Sequence, residues 1–147
     1  MRIEKFGRVL PFSCEQVFDL AADFERYPDF LPWWISASIK KREANIWYAE
    51  QVLGRGPVRV QFASKALLRR PERIDITSSD RLFRQYSLSL LVAPGPSAGC
   101  SLSIAAELEL RSRFLQQILC RVLPASIEDI IAAFEARAHK VYDHHDR

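Results

Sequence analysis

Three groups of residues in this sequence could carry chemistry: a serine in a glycine-flanked motif, a set of histidines and several carboxylates. The stretch from Gly95 to Gly99 reads G-P-S-A-G, which is the pattern of the nucleophile elbow in serine hydrolases. That elbow needs a strand, a sharp turn and then a helix, whereas this motif separates two segments with strand-like alternation. The sequence therefore predicts a hairpin loop here rather than a catalytic serine.

The histidines and the short glycine loop do not match a metal or phosphate site. His139, His144 and His145 lie near the carboxy terminus, with a spacing that fits no zinc pattern. The loop from Gly54 to Gly56 lacks the later glycine and the following helix that a phosphate-binding loop needs. We predict no metal site and no cofactor.

The carboxylates are expected to be solvated. Glu107 and Glu109 alternate onto the wet face of a predicted strand, and Glu128 and Asp129 fall on the wet side of a predicted helix. Acid and base catalysis would require two such groups to converge in a pocket. Glu50 could face either side of its strand, so the sequence supports no catalytic set and favours a protein that is not an enzyme.

Composition limits the classes of function and location. The chain has 147 residues, of which 48% are hydrophobic, and a net charge of +3. This length suits one domain with a substantial core. Its short cationic runs are expected to be solvated surface, and the alternative is weak attraction to anionic lipid or RNA. No DNA partner is expected. The sequence predicts a cytoplasmic protein, because its three cysteines form no C-x-x-C pair and no apolar run is long enough to span a bilayer. Peripheral contact at the inner membrane is left open.

Periodicity predicts an α+β fold that begins with a strand and two short helices. Residues 2–10 read as the first strand. Ser13 is the expected N-cap of a helix of about ten residues, with Gln16 as its capping-box partner. A second short helix is expected near residues 24–27, within a segment in which Pro28 and Pro32 should make the residues before them extended.

Strand-like alternation then continues to Leu110, which predicts an antiparallel meander. Turn signals lie at residues 54–57, 70–72 and 94–99. The inward-facing positions form three series: Val58, Val60, Phe62, Ser64, Ala66 and Leu68; Leu82, Arg84, Tyr86, Leu88 and Leu90; Cys100, Leu102, Ile104, Ala106, Leu108 and Leu110.

Helical period returns from about residue 112 to Tyr142, with Pro124 expected to divide the element, and residues 143–147 are expected to form a frayed tail. The long second half has one apolar arc, with Arg137 at its edge. The predicted architecture is a curved antiparallel sheet of about six to seven strands wrapped on this helix. The residues of the apolar arc are Ile127, Ile130, Ile131, Phe134, Ala138, Val141 and Tyr142.

The segment from Asp23 to Trp34 contains five aromatic rings and two prolines, and is the strongest candidate for a binding site. Its rings could equally fill one end of the hydrophobic core, and both interpretations remain open. Of Trp33 and Trp34, only one can face inward, because consecutive strand residues point to opposite faces. Polar groups that could orient a ligand are Arg137, Tyr48 and Tyr86. The apolar candidates are Tyr27, Phe30, Trp33 or Trp34, Phe62, Ile127, Ile130, Ile131 and Phe134.

Two motifs, together with the order of elements, carry a resemblance to a known family. Residues 27–32 read Y-P-x-F-L-P, and residues 133–142 read A-F-x-x-R-A-x-x-V-Y. This pattern resembles the coenzyme Q-binding and ribosome-association-toxin family of START-like proteins, in the SRPBCC superfamily of polyketide cyclase and dehydrase-like proteins. The resemblance covers residues 1–147 as a single START-like domain, and it implies a helix-grip fold around a long apolar cavity.

The resemblance implies a carrier or chaperone that binds ubiquinone or a related lipid without transforming it. It also allows a ribosome-binding inhibitor of subunit association, and an aromatase or cyclase of the wider superfamily. The expected partners are then a hydrophobic small molecule, a membrane surface in passing, or the ribosome. The sequence departs from the family where glycine, proline and phenylalanine usually precede the sixth strand: residues 79–84 read S-D-R-L-F-R, and residues 87–91 contain no tryptophan.

Overall fold

The computed structural model describes residues 2–96, 99–122 and 127–142, and for residues 2–6, 119–122 and 127–128 it describes the backbone alone. In chain order the elements are β1 (Arg2–Leu10), α1 (Cys14–Ala22), a 3₁₀ turn (Phe24–Arg26), α2 (Tyr27–Phe30), β2 (Trp34–Glu43), β3 (Ile46–Arg55), β4 (Val58–Arg69), β5 (Arg73–Thr77), β6 (Phe83–Pro94), β7 (Cys100–Leu110), α3 (Arg113–Val122) and α4 (Ile127–Tyr142).

The strands form one antiparallel sheet in the order β1-β7-β6-β5-β4-β3-β2. Strands β2 to β7 follow one another as a meander, whereas β1 pairs with β7, so β1 and β2 lie at opposite edges. Helices α1 and α2 connect these two edges. The predicted antiparallel sheet with a long carboxy-terminal helix is confirmed.

Helix α1 begins with the predicted capping box. The Ser13 Oγ accepts a hydrogen bond from the backbone N–H of Gln16, and the Gln16 Oε1 accepts one from the backbone N–H of Ser13, each at 3.1 Å. Two N–H groups that lack partners within the helix are thereby satisfied. The opposite side of α1 buries Val17, Phe18, Leu20, Ala21 and Ala22 against the sheet.

The prediction for the residue before Pro28 is wrong, and that for the residue before Pro32 is confirmed. Tyr27 is helical, with φ −52° and ψ −40°, whereas Leu31 is extended, with φ −86° and ψ 138°. Pro28 lies in the first turn of α2, where its missing N–H removes no helical hydrogen bond. Burial of the Tyr27 ring, which is 3% exposed, holds the helical geometry.

Alternation along β4 is confirmed, but alternation at the start of β6 is wrong. In β4 the buried residues are Val60, Phe62, Ser64, Ala66 and Leu68. The residues that alternate with them, Arg59, Gln61, Ala63 and Lys65, are exposed. The β6–β7 pairing shifts its register between Phe83 and Gln85. This bulge buries Phe83 and leaves Arg84 exposed, so Arg84 does not belong to the inward series, whereas Leu82, just before β6, is half-buried against the second group of buried residues.

Two groups of buried side chains fill the inner face of the sheet. The main cluster lies under α1, α2 and α4, and includes Leu10, Phe18, Ile104 and Phe134. The second cluster lies toward the start of β4 and consists of Val60, Phe62, Phe83 and Leu110, with Leu115 of α3 packed against it. Helix α3 therefore covers one end of the sheet.

Helix α4 packs its apolar arc on β1, β7, α1 and α2. Ile131, Phe134 and Ala138, at helical spacing, are 0%, 2% and 0% exposed. An ion pair of 2.7 Å between the Arg8 Nη1 and the Glu135 Oε1 ties α4 to β1. The side chain of Ile127, and the predictions for Pro124, His144, His145 and the terminal tail, lie outside the described residues. Of the helices described, none has the length and apolar character needed to cross a membrane.

Candidate functional site

Four side chains in the middle of the sheet retain accessible surface although they face inward. Tyr86 pairs with Leu108, and Leu88 pairs with Ala106, across β6 and β7. Tyr86, Leu88 and Ala106 are half-buried, and Leu108 is 37% exposed. Protein interiors are normally close-packed, so accessible surface on an inner face indicates a gap. We call the space beside these four residues the inner pocket.

Tyr86 places a polar group in this pocket. Its ring lies 5.2 Å from the ring of Phe62 and 4.9 Å from that of Phe83, and it packs against both clusters. Its hydroxyl has no hydrogen-bond partner among the residues that the structure describes. Burial raises the pKa of Tyr86 above its ordinary value, so the hydroxyl remains a hydrogen-bond donor at neutral pH.

A chain of buried polar groups lies on the same face of the sheet. The Trp34 Nε1–H donates to the Gln51 Oε1 at 2.9 Å, and the Gln51 Nε2 donates to the Ser64 Oγ at 2.9 Å. Gln51 and Ser64 are 5% and 7% exposed. The sequence analysis did not single out Gln51, although its position, two residues from Ala49 and from Leu53, indicates the inward face.

Replacing Gln51 with leucine should lower the free energy of unfolding by about 1–3 kcal/mol, because the Trp34 N–H and the Ser64 hydroxyl lose their buried partner. Urea denaturation of the purified variant measures this loss. The matched control is Gln61→Leu, since Gln61 is an exposed glutamine on the outer face of β4. Equal stability of the two variants would show that the buried chain of hydrogen bonds contributes nothing.

The two consecutive tryptophans occupy different environments, but Trp33 lies before β2, so strand alternation is not the cause. Trp34 is 9% exposed and faces inward. Trp33 is half-buried at the margin of the main cluster and has a positive φ of 69°, and its carbonyl accepts a hydrogen bond of 2.9 Å from the Gly54 N–H. The left-handed residue turns the chain from α2 into β2.

The aromatic segment packs on α4 through edge-to-face ring contacts. Tyr27 lies 5.6 Å from Phe134 and 5.7 Å from Trp34, and Phe30 lies 5.4 Å from Phe134. The Tyr27 hydroxyl donates to the carbonyl of Ala21, at the end of α1. Burial raises the pKa of Tyr27 well above its ordinary value, with smaller contributions from Tyr86 and Asp23. Tyr27 is therefore a satisfied core residue, in the wall between α1 and the sheet.

Two polar candidates lie away from the inner pocket. Tyr48 pairs with Lys41 and Lys65 on the outer face of the sheet, the same face as the exposed Glu50. The inward face of β3 carries Trp47, Ala49, Gln51 and Leu53 instead. The structure thus separates Tyr48 from the inner pocket.

Arg137 lies in an outer groove of about 540 Å³ between α1, α2 and α4. Its guanidinium carbon is 5.3 Å from the centre of the Phe30 ring, and its Nη2 is 4.0 Å from the Asp29 Oδ2. The groove is also lined by Asp19, Leu20, Asp23, Arg26, Val141 and Tyr142. Arg137 and one side of Phe30 are thus directed away from the inner pocket.

Ile130 and Ile131 face the main cluster from α4. Ile131 is fully buried, and Ile130 is half-buried against the same cluster. Phe62, at 1% exposure, belongs to the second cluster and supports the Tyr86 ring. Of these three residues, Phe62 alone has a ring contact with a residue of the inner pocket, and the two isoleucines pack in the main cluster.

The described residues contain no group of three or more histidine, cysteine, aspartate or glutamate side chains suited to a metal ion. The glycine-flanked serine motif joins β6 to β7, which pair as an antiparallel hairpin, as predicted; Ser97 itself lies outside the described residues. Burial raises the pKa of the Cys100 thiol to about 12, with nearby Cys14 adding to the shift. That thiol stays protonated and is a poor nucleophile.

Two named relatives align with nearly the whole chain at low identity. A coenzyme Q-binding protein COQ10 homolog B, mitochondrial, from Xenopus laevis is 24% identical over 140 residues, which are 92% of this chain and 57% of that protein. The chain thus spans little more than half the length of that relative. The ribosome association toxin RatA of Pseudomonas aeruginosa is 22% identical over 135 residues, which are 91% of this chain and 93% of that protein.

Solved structures show the same fold. TTHA0849 from Thermus thermophilus matches with a TM-score of 0.81 at 18% identity, over 96% of this chain and 99% of that one. The Zhui aromatase/cyclase from Streptomyces sp. R1128 matches with a TM-score of 0.79 at 12% identity, over 95% of this chain and 94% of that one. The family model described as "Polyketide cyclase / dehydrase and lipid transport" matches residues 10–135. The chain belongs to this family.

Proposed function

We propose that the protein binds an isoprenoid quinone such as ubiquinone, or a related lipid, in the inner pocket and carries it without transforming it. The observation that carries the proposal is the Tyr86 hydroxyl, which has no protein partner among the described residues and lies within an apolar surround. Ligand pockets are typically apolar, with a few polar groups that fix orientation. The name of the Xenopus laevis relative, a coenzyme Q-binding protein, supports the choice of ligand.

The chemistry of the pocket suits a quinone head group. A quinone carbonyl accepts hydrogen bonds and has none to donate, and a protonated phenol supplies the donor. Leu88, Ala106 and Leu108 provide apolar surface beside it, and the exposure of Leu108 gives an isoprenoid tail a route outward. Binding of a quinone requires no residue to move a proton, so binding alone accounts for this arrangement of side chains.

Substituting Tyr86 with phenylalanine should weaken binding of ubiquinone with a short isoprenoid tail by about three- to tenfold, the effect of losing one hydrogen bond. The ring contacts with Phe62 and Phe83 remain, so thermal stability should not fall. Quenching of tryptophan fluorescence measures the affinity. Tyr48→Phe, on the outer face, is the control and should leave it unchanged.

Organic extraction of the purified protein, followed by mass spectrometry, tests the proposal independently of any variant. Recovery of a quinone or another isoprenoid lipid in stoichiometric amount is the expected result. No co-purifying lipid, together with no quenching by added ubiquinone, would overturn the proposal. We place the carrier in the cytoplasm, with access to the inner membrane.

The alternative function is inhibition of ribosomal subunit association. The near full-length match with the Pseudomonas aeruginosa toxin favours it, because the two chains have similar extents. Sedimentation of lysate at low and high salt separates the alternatives: an electrostatic contact with ribosomal RNA would place the protein in the ribosomal fractions at low salt and release it as salt rises. Likeness to an aromatase/cyclase at 12% identity concerns the fold and supplies no catalytic residue.

A further inference from the structure

One end of the sheet concentrates positive charge. Here β3 turns into β4, β6 begins, and β7 passes into α3. The backbone N–H of Arg111 donates to the carbonyl of Leu82 at 3.1 Å, which joins the last two of these segments. Val58 of β4 and Leu115 of α3 both pack against the second cluster. The arginines at this end are Arg55, Arg59, Arg81, Arg84, Arg111 and Arg113. We call these six residues, together with Phe114, the basic end.

All six arginines are exposed, and none of them forms an ion pair with a carboxylate among the residues that the structure describes. Asp80, Glu107 and Glu109 are the acidic residues nearby in these segments. The Asp80 carboxylate is occupied by the backbone N–H groups of Ala63 and Leu82. Six arginines against three carboxylates leave a local excess as large as the net charge of +3 of the whole chain.

Exposed apolar surface occurs at the same end. Phe114, at the start of α3, is 74% exposed, and Leu108 is 37% exposed; the third large apolar side chain that is exposed in the described residues, Val9, lies at the opposite end. Phe114 has arginines at positions 111 and 113, and the first turn of α3 has no acidic residue. An exposed aromatic ring flanked by unpaired cations is typical of a segment that lies at a bilayer interface.

We propose that the basic end docks the protein on an anionic lipid bilayer. The arginines provide attraction to acidic head groups, and Phe114 inserts among the acyl chains at their boundary with the head groups. The same charges could attract RNA, but charge alone would not require an aromatic ring and a leucine to remain exposed beside them. Docking does not depend on the ligand of the inner pocket, although it would place Leu108 and the pocket near the membrane.

Flotation of the purified protein with vesicles tests the proposal. We expect binding to vesicles of equal parts phosphatidylcholine and phosphatidylglycerol, weak binding to phosphatidylcholine alone, and release at high salt. Arg111→Gln with Arg113→Gln should weaken binding to the anionic vesicles by roughly twenty-fivefold, at about fivefold per charge. Phe114→Ala should weaken it by about tenfold and leave the salt dependence in place.

Matched controls remove the same chemistry elsewhere on the surface. Lys40→Gln with Lys41→Gln deletes two exposed cations of β2, and Val9→Ala truncates an exposed apolar side chain at the opposite end. Neither should change vesicle binding. If the controls weaken binding as much as the Arg111, Arg113 and Phe114 variants, or if the protein binds RNA and no vesicle, the proposal is overturned. Because the vesicles contain no quinone, this result is independent of the ligand test.

Discussion

Replacing Phe134 with alanine should lower the free energy of unfolding by about 3–5 kcal/mol, which is the usual cost of removing a buried phenylalanine ring. The ring is 2% exposed and lies between α4 and the aromatic segment. It contacts Tyr27 at 5.6 Å and Phe30 at 5.4 Å, edge to face in both cases. The variant therefore loses both buried apolar area and the ring contacts that hold α2 against α4.

The same substitution at an exposed position provides the control. Phe114→Ala removes an identical side chain that is 74% exposed, so its cost should stay within about 0.5 kcal/mol. Urea denaturation followed by circular dichroism measures both variants. A loss below about 1 kcal/mol for Phe134→Ala would mean that neighbouring side chains move into the space left by the ring. It would also mean that this contact does not fix α4.

Replacing Gly54 with alanine should destabilise the protein by about 4 kcal/mol, because a Cβ at this position would meet backbone rather than a side chain that can move. The added atom would lie 2.2 Å from the carbonyl oxygen of Val58 and 2.8 Å from the Cα of Arg59. Its φ of 157° is also unfavourable for other residues. The N–H of Gly54 donates a hydrogen bond to the Trp33 carbonyl, so strain at Gly54 would also disturb the junction of α2 and β2.

Gly56 provides the comparison for this variant. It also has a positive φ, of 61°, but an added Cβ there would have nothing within 4 Å. Gly56→Ala should therefore cost about 1 kcal/mol, from backbone strain alone. Thermal unfolding of the two variants measures the difference. Similar melting temperatures would show that the hairpin rearranges around the new atom.

Periodicity predicted most of the fold, because most strands bury one face. The alternation in β4 and the spacing of Ile131, Phe134 and Ala138 were sufficient, since hydrophobic burial repeats with the geometry of each element. It failed at the start of β6, where one extra residue between Phe83 and Gln85 exchanges the inner and outer faces. A bulge depends on pairing with β7, which local sequence does not encode.

The candidate site was less predictable, because it depends on which face of β3 turns inward. Apolar residues occur at both parities of this strand, so Trp47 and Tyr48 were equivalent by pattern alone. Pairing with β4 decides the matter by placing Gln51 beside Phe62. Arg137 shows the same limit on a helix. It lies at the edge of the apolar arc, and its side chain turns toward Phe30 because α2 packs beside α4.

The order of strands leaves β1 and β2 with a partner on only one side among the described residues. Such edges can recruit a strand from another copy and start aggregation. Strand β2 carries two register shifts, near Trp34 and near Ile39, and the exposed run of Lys40, Lys41 and Arg42 follows the second of them. Irregular pairing and repeated cations both disfavour strand addition, so this run protects the sheet from self-association as well as solvating its rim.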